Sequence, residues 1–126
     1  MGRIMKLESL ALALCLTVLA SVTVRGEDAA QTAPLMCGVG PIEQSYGMTK
    51  WHVYSCDDGR SVVIVSAPES PASPFVFRFM ASGDAYLLQS QGTGNRKYTA
   101  AAYGELKQMS VQDVAALVKL TKAHAR

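Results

Sequence analysis

The stretch Gln91–Thr99, QGTGNRKYT, sets glycines and a lysine close together, as phosphate-binding loops do. Such a loop needs its glycines after a strand and its lysine and hydroxyl residue at the start of a helix, where free amides point at the phosphates. Here the spacing differs, and the residues that follow the lysine favour strands. Because Gly92, Gly94 and Asn95 all tolerate positive φ, the stretch predicts a hairpin turn that can also present side chains to a partner.

Residues that commonly act as catalysts are present but are not arranged for catalysis. After removal of an N-terminal leader, the histidines are His52, in a predicted strand, and His124, near the end of the chain, and no G-x-S-x-G elbow accompanies the serines. Asp57 and Asp58 are adjacent in a predicted turn, where carboxylates are usually solvated rather than paired for acid–base work. The methionines are too dispersed for a copper site. We therefore predict a protein that is not an enzyme and holds no cofactor or metal.

The cysteines predict a covalent crosslink. Of the three, Cys15 lies in an apolar N-terminal run, which leaves Cys37 and Cys56 as an even pair. An exported chain reaches an oxidising compartment, where such a pair forms a disulfide. There is no C-x-x-C motif, and two thiols without histidines at ligand spacing make only half of a zinc site. We expect a structural disulfide between Cys37 and Cys56.

The first 26 residues have the organisation of a secretory signal peptide. A basic start precedes an apolar run, Leu10–Val24, which is shorter than the roughly 20 residues that a membrane-spanning helix needs. Cleavage after Gly26 agrees with the polar sequence that follows, and cleavage after Ala20 or retention as an N-terminal anchor are the alternatives. Removal of residues 1–26 leaves nine basic and nine acidic residues of the original 12 and 10, so charge does not indicate nucleic-acid binding. We predict a periplasmic or secreted protein with no stable membrane span after signal removal.

The remaining chain reads as one β-rich domain. Residues 27–34 are small and polar and predict a flexible tether, and residues 35–126 form the domain. Period-two alternation and β-branched runs indicate strands, with Trp51 and Val53 facing the core. The strands cover residues 46–54, 61–66, 75–80, 85–90 and, with weaker β character, 96–103.

Turn and helix signals complete this fold. Asp58-Gly59 predicts a tight turn, with both residues at positive φ, and the proline-rich residues 67–74 predict a surface loop. Ser110 begins a capping-box pattern, after which apolar residues recur at helical spacing, so a helix should cover about residues 110–124. The expected fold is mainly β with a C-terminal helix: a small antiparallel sheet or a partly open β-barrel stapled by one disulfide.

Two short stretches also carry the motifs of an exported family. One is YSCDDGR at residues 54–60, followed by a valine-rich strand; the other is GTGNRKY at residues 92–98, with YGELK at residues 103–107. This pattern resembles the periplasmic C-type lysozyme inhibitors, which are small exported β-barrels whose loop and lysine enter the active-site cleft of lysozyme. The resemblance implies that Thr93 stands at the family's loop serine and Lys107 at its inserting lysine.

Together, these observations predict an exported, non-catalytic binding protein of the cell envelope, and the resemblance implies a C-type lysozyme as its partner. In that interpretation Thr93, Arg96 and Lys107 bind the partner, projecting from neighbouring hairpins into an acidic cleft. Two other hypotheses stand beside it. In the first, the chain is a structural or accessory periplasmic protein. In the second, it is a small-ligand carrier, which would require an apolar cavity inside the barrel.

Overall fold

A computed structural model describes residues 34–125 of the chain. The predicted signal peptide, residues 1–26, lies outside the described residues, as does all of the predicted tether except Pro34. The elements, in chain order, are β1 (Val39–Tyr46), β2 (Thr49–Ser55), β3 (Val62–Ser66), β4 (Phe75–Ser82), β5 (Ala85–Gly92), α1 (Arg96–Leu106) and α2 (Val111–Ala123).

The five strands form one antiparallel sheet in the order β1-β2-β3-β4-β5. Each strand pairs with the next one along the chain, so short turns and one longer loop are enough to connect them. β1 and β5 are the two edges and do not pair with each other, which leaves the sheet open. The structure therefore confirms the predicted antiparallel sheet with a C-terminal helix, as an open sheet and not as a closed barrel.

The first strand departs from the sequence prediction. The predicted strand over residues 46–54 is interrupted by a turn at Gly47 and Met48, with φ of +60° and +66°, and β1 precedes it. A Cβ on Gly47 would lie 2.5 Å from a backbone nitrogen of α1, and the Gly47 N–H donates to the Glu105 carboxylate over 2.7 Å. Burial, reinforced by the charge of Glu105, raises the pKa of Tyr46 to about 12. The turn is thus fixed by its contact with α1, which is remote in sequence.

The core lies on the inner face of the sheet, beneath the two helices. Trp51 and Val53 are fully buried there, as predicted. The Trp51 ring centroid is 5.3 Å from that of Phe77 and 6.4 Å from that of Phe75. Its Nε1 donates to the Tyr46 carbonyl over 2.9 Å, so the buried indole is satisfied.

The main error of the sequence prediction concerns the segment after β5. Residues 96–103 were expected to have weak β character, but they belong to the helix α1. Asn95 caps this helix, because its side chain accepts a hydrogen bond from the Lys97 N–H over 2.9 Å. An alanine run, Ala100–Ala102, then supplies strong helix formers. The predicted hairpin turn is therefore a connection from strand to helix.

The predicted C-terminal helix is confirmed as α2. Ser110 and Asp113 form its capping box, with distances of 2.9 and 3.1 Å between each side chain and the other residue's backbone N–H. Near the other end of α2, the fully buried Thr121 hydroxyl lies 2.7 Å from the Ser55 hydroxyl of β2. This contact fixes α2 against the centre of the sheet.

The predicted disulfide is also confirmed: Cys37 and Cys56 are bonded. The bond joins the segment before β1 to the end of β2. Beside it, the Asp57 N–H donates to the Met36 carbonyl over 2.7 Å. Covalent and hydrogen bonds therefore hold the start of the described chain against the sheet.

The adjacent Asp58-Gly59 turn joins β2 to β3, as predicted, but only Gly59 has positive φ. Asp58 instead accepts hydrogen bonds from the N–H groups of Arg60 and Ser61 and from the Ser61 hydroxyl. Burial alone would raise the pKa of the Asp58 carboxyl, yet these hydrogen bonds and the Arg60 charge together hold it below its usual value. Asp58 is therefore a turn cap at the exposed surface.

Candidate functional site

The inner face of the sheet is covered unevenly. The two helices pack mainly on β1, β2 and β3. Along β5 and the adjoining side of β4, the helix α1 stands away from the strands, and two cavities open between them. We call these two cavities together the β5–α1 groove. The groove lies at the β5 edge of the sheet.

The first cavity lies at the N-terminal end of α1 and has a volume of about 410 Å³. Phe75 and Phe77 of β4 form its floor, and Tyr103 of α1 stacks on Phe77 with a centroid separation of 6.5 Å. Arg96 supplies a positive charge to its wall, and Ser90, Thr93 and Thr99 supply hydroxyls. The cavity therefore combines an aromatic floor with a cation and several hydroxyl groups.

The second cavity lies at the C-terminal end of α1, with a volume of about 370 Å³, and shares Tyr103 with the first. Lys107 is its only charged lining residue, and its Nζ lies 5.6 Å from the centroid of the Tyr103 ring. The other lining residues are predominantly apolar and come from β4, β5 and the start of α2: Phe79, Tyr86, Leu88, Met109, Ser110, Val111 and Val114.

The three predicted partner-binding residues all line this groove, but not in the arrangement that the sequence indicated. Thr93 and Arg96 line the first cavity, and Lys107 lines the second. They do not project from neighbouring hairpins, because α1 separates them. At 1.5 Å per residue, Arg96 and Lys107 are about 16 Å apart along the helix. The groove thus has a cation at each end.

The backbone amides at the start of α1 are already occupied. The N–H groups of Thr93 and Gly94 both donate to the Pro74 carbonyl, over 3.0 and 3.1 Å, and that of Asn95 donates to the Pro71 carbonyl over 3.0 Å. A phosphate cradle needs these amides free. The segment does follow a strand and begin a helix, contrary to prediction, yet it binds the proline-rich loop in place of a phosphate.

The two glycines of this segment have a packing role. A Cβ on Gly94 would overlap the backbone carbonyl of Ala72, and one on Gly92 would collide with the Pro74 carbonyl. Gly92 has a φ of +144°, whereas Gly94 does not have positive φ. Close approach, more than backbone conformation, therefore explains why glycine occupies position 94.

We expect Gly94→Ala to destabilise the protein by about 1–3 kcal/mol, the usual cost of forcing an extra carbon into a packed site. Gly104→Ala is the matched control: it lies inside α1 with open space around it and should stabilise by about 0.5–1 kcal/mol. Urea unfolding of both variants measures these changes. Equal effects of the two substitutions would contradict the packing explanation.

The other candidate chemical groups do not assemble into a site. His52 lies on the outer face of the sheet, opposite Val65 and away from the groove. Among residues 34–125, no group of three histidine, cysteine or acidic side chains is placed to hold a metal ion. Within the same residues, neither helix has the length and apolar character needed to cross a membrane.

Several groove residues were not predicted from the sequence: Tyr86, Thr99 and Tyr103. A signal for the helical wall exists, because Arg96, Thr99, Tyr103 and Lys107 recur at spacings of three or four residues, which place them along one face of a helix. The prediction of weak β character for residues 96–103 does not take this helical spacing into account.

No protein-family model, curated protein or solved structure matches this chain. The resemblance to C-type lysozyme inhibitors rests on the motifs given above.

Proposed function

We propose that this chain is an exported, non-catalytic binding protein of the cell envelope, and that a protein partner binds in the β5–α1 groove. The observation that carries this proposal is a groove lined by aromatic side chains, with Tyr103 exposed in it and a cation at each end. A small domain has few large apolar side chains to spare from its core. In this recess Phe75 and Tyr86 are only partly buried and Tyr103 is exposed, which is typical of a binding surface.

Export is supported by features outside the groove. The sequence starts with basic residues and a short apolar run, which is typical of a secretory signal. The Cys37–Cys56 bond is compatible with an oxidising compartment, where disulfides persist.

A protein partner accounts for the dimensions of the groove better than a small molecule does. The two cations are about 16 Å apart along α1, so a ligand that reaches both must be extended or must belong to a larger surface. Both charged lining residues are basic, which favours a partner with acidic groups. C-type lysozyme, the partner implied by the motif resemblance, is the first protein to test.

A small-ligand carrier is a second candidate because of the first cavity. Its volume of about 410 Å³ falls within the range of known ligand pockets. The cavity lies at the side of an open sheet, however, rather than inside a barrel as the carrier hypothesis required. A ligand there would contact Arg96 but would not need Lys107.

The experiment is a titration of the purified, oxidised protein with C-type lysozyme, following lytic activity and binding heat. We expect Arg96→Ala and Lys107→Ala each to weaken binding at least about tenfold, because each removes a positive charge that faces the acidic cleft of the partner. Lys119→Ala, on the exposed side of α2, is the matched control and should leave binding unchanged.

The outcomes separate the candidates. Binding that neither groove variant weakens would contradict the groove as the site. Absence of binding would exclude lysozyme as the partner. Loss confined to Arg96→Ala would show that the protein partner uses the first cavity without Lys107.

A further inference from the structure

The two edge strands of the sheet are protected very differently. β1, VGPIEQSY, contains Pro41, which cannot donate a ladder hydrogen bond, and the charged Glu43. Its pairing with β2 shifts register between Val39 and Ile42, and α2 packs against it. These are the devices by which proteins prevent an edge strand from pairing with another chain.

β5 has none of these devices. Its eight residues, AYLLQSQG, include no charged residue and no proline, and its pairing with β4 runs in continuous register from Phe75↔Gly92 to Ser82↔Ala85. Within residues 34–125 its only strand neighbour is β4. The outer row of β5 backbone N–H and C=O groups is therefore available to another strand.

The open edge of β5 is also one wall of the groove. Tyr86 and Leu88 line the second cavity, and Ser90 and Gly92 line the first. A strand added beside β5 would point alternate side chains toward this same face of the sheet. The edge and the groove thus offer backbone hydrogen bonds and side-chain pockets together, which is the arrangement used in recognition by strand addition.

We propose that β5 accepts an extended segment of a partner protein as a sixth strand, and that side chains of this segment occupy both cavities. This inference rests on the proposed function, because it assigns the binding mode and ligand class to the same groove. It makes the main chain of the partner, and not only its charge, part of what is recognised.

The positions of the cavities define the spacing of the bound segment. The second cavity adjoins β5 residues 86 and 88, and the first adjoins residues 90 and 92. The cavity centres are thus separated by four residues, or about 13 Å along a strand. Residues i and i+4 of a strand share a face, so one segment reaches both cavities. Tyr103 lies between them and requires a small side chain at i+2.

The lining residues define the chemistry of the two side chains. The apolar wall of the second cavity fits a large aliphatic group. In the first cavity, Arg96 and the Thr99 hydroxyl favour a carboxylate. Thr99 is only 6 % exposed, so its hydroxyl is held in a nearly buried position at this wall. No carboxylate of the described chain lines either cavity, so an acidic ligand meets no like charge there.

The probe is a capped nine-residue peptide with leucine at its centre, glutamate four residues to each side, alanine midway between them and threonine elsewhere. Its symmetry allows either strand direction. We expect calorimetry to detect binding at concentrations below about 1 mM. We also expect hydrogen exchange of amides in β5 to slow in the complex, because the added strand protects them.

The decisive control is the same peptide with N-methyl groups on alternate residues, in the two possible phases. One phase removes the N–H groups that face β5 and should weaken binding at least about tenfold, while the other should have little effect. Arg96→Glu should weaken the original peptide and favour one with lysines in place of the glutamates. Lys119→Ala is again the neutral control.

The outcomes distinguish this inference from the proposed function. Equal binding of the original peptide and its two N-methylated forms would retain the groove as a site but overturn strand addition. Failure of every peptide below about 1 mM would also overturn strand addition, even if lysozyme binding depended on Arg96 and Lys107. The proposal would also be overturned if sedimentation showed a dimer and the β5 amides were protected in the protein alone. A second copy of the chain would then occupy the β5 edge.

Discussion

Replacement of the single tryptophan, Trp51→Ala, should destabilise the protein by about 3–5 kcal/mol, the cost observed for removing a large aromatic side chain from a core. Trp51 is fully buried and packs against Phe75 and Phe77. Its loss opens a cavity beneath β4 and leaves the Tyr46 carbonyl without the indole donor. A domain of this size has a total stability of only about 5–10 kcal/mol, so the variant should be close to unfolding at room temperature.

Urea unfolding followed by far-ultraviolet circular dichroism measures this loss without relying on tryptophan fluorescence. Trp51→Phe should be milder, because it retains an aromatic ring and loses mainly the hydrogen bond to Tyr46. His52→Ala is the control from the same strand, on the outer face, and should cost about 1 kcal/mol or less. Similar losses for Trp51→Ala and His52→Ala would show that the two faces of the sheet contribute equally, contrary to the burial pattern.

Removal of the disulfide, by the double substitution Cys37→Ser and Cys56→Ser, should destabilise the protein by about 3 kcal/mol. The two cysteines are 19 residues apart, so the bond restricts a loop of that length in the unfolded chain. In the folded protein the bond also keeps Met36 beside Asp57, where their backbones are hydrogen bonded. The open chain would gain freedom in the unfolded state and lose an anchor for β1 in the folded one.

The measurement is urea unfolding of the oxidised protein, the reduced protein and the double variant. The reduced protein and the variant should agree, and dithiothreitol should have no effect on the variant. A loss below about 1 kcal/mol would indicate that hydrogen bonds and packing alone position the start of β1. A variant that remains folded can also test whether the groove, near the opposite edge of the sheet, binds independently of this crosslink.

The sequence determined those features whose cause is local. Alternation placed Trp51 and Val53 on the core face, because side chains of a strand alternate between its two sides. Ser110 and Asp113 marked the start of α2, because a capping box satisfies amides within a few residues of each other. The even pair Cys37 and Cys56 left one intramolecular partner for each thiol. The first two features follow from residues close in sequence, and the disulfide follows from the number of cysteines.

Other features depend on contacts between elements that are remote in sequence. The sequence predicts a turn at Gly94, whereas glycine is required there by the close approach of the Ala72 backbone. Gly47 similarly ends β1 because α1 lies against it. In both cases the local sequence permits several conformations, and a contact with another element selects one of them.

The groove shows the same division. Sequence motifs single out Thr93, Arg96 and Lys107, but the pattern of residues 96–103 indicates weak β character, so the sequence does not show that these residues share a recess. The recess exists because the two helices pack mainly on β1, β2 and β3 and leave the inner face of β5 uncovered. No single segment encodes that displacement, since it results from the packing of α2 on the central strands and of α1 on the β1–β2 turn. Sequence motifs identify the residues, but the packing of the helices on the sheet brings them together in one groove.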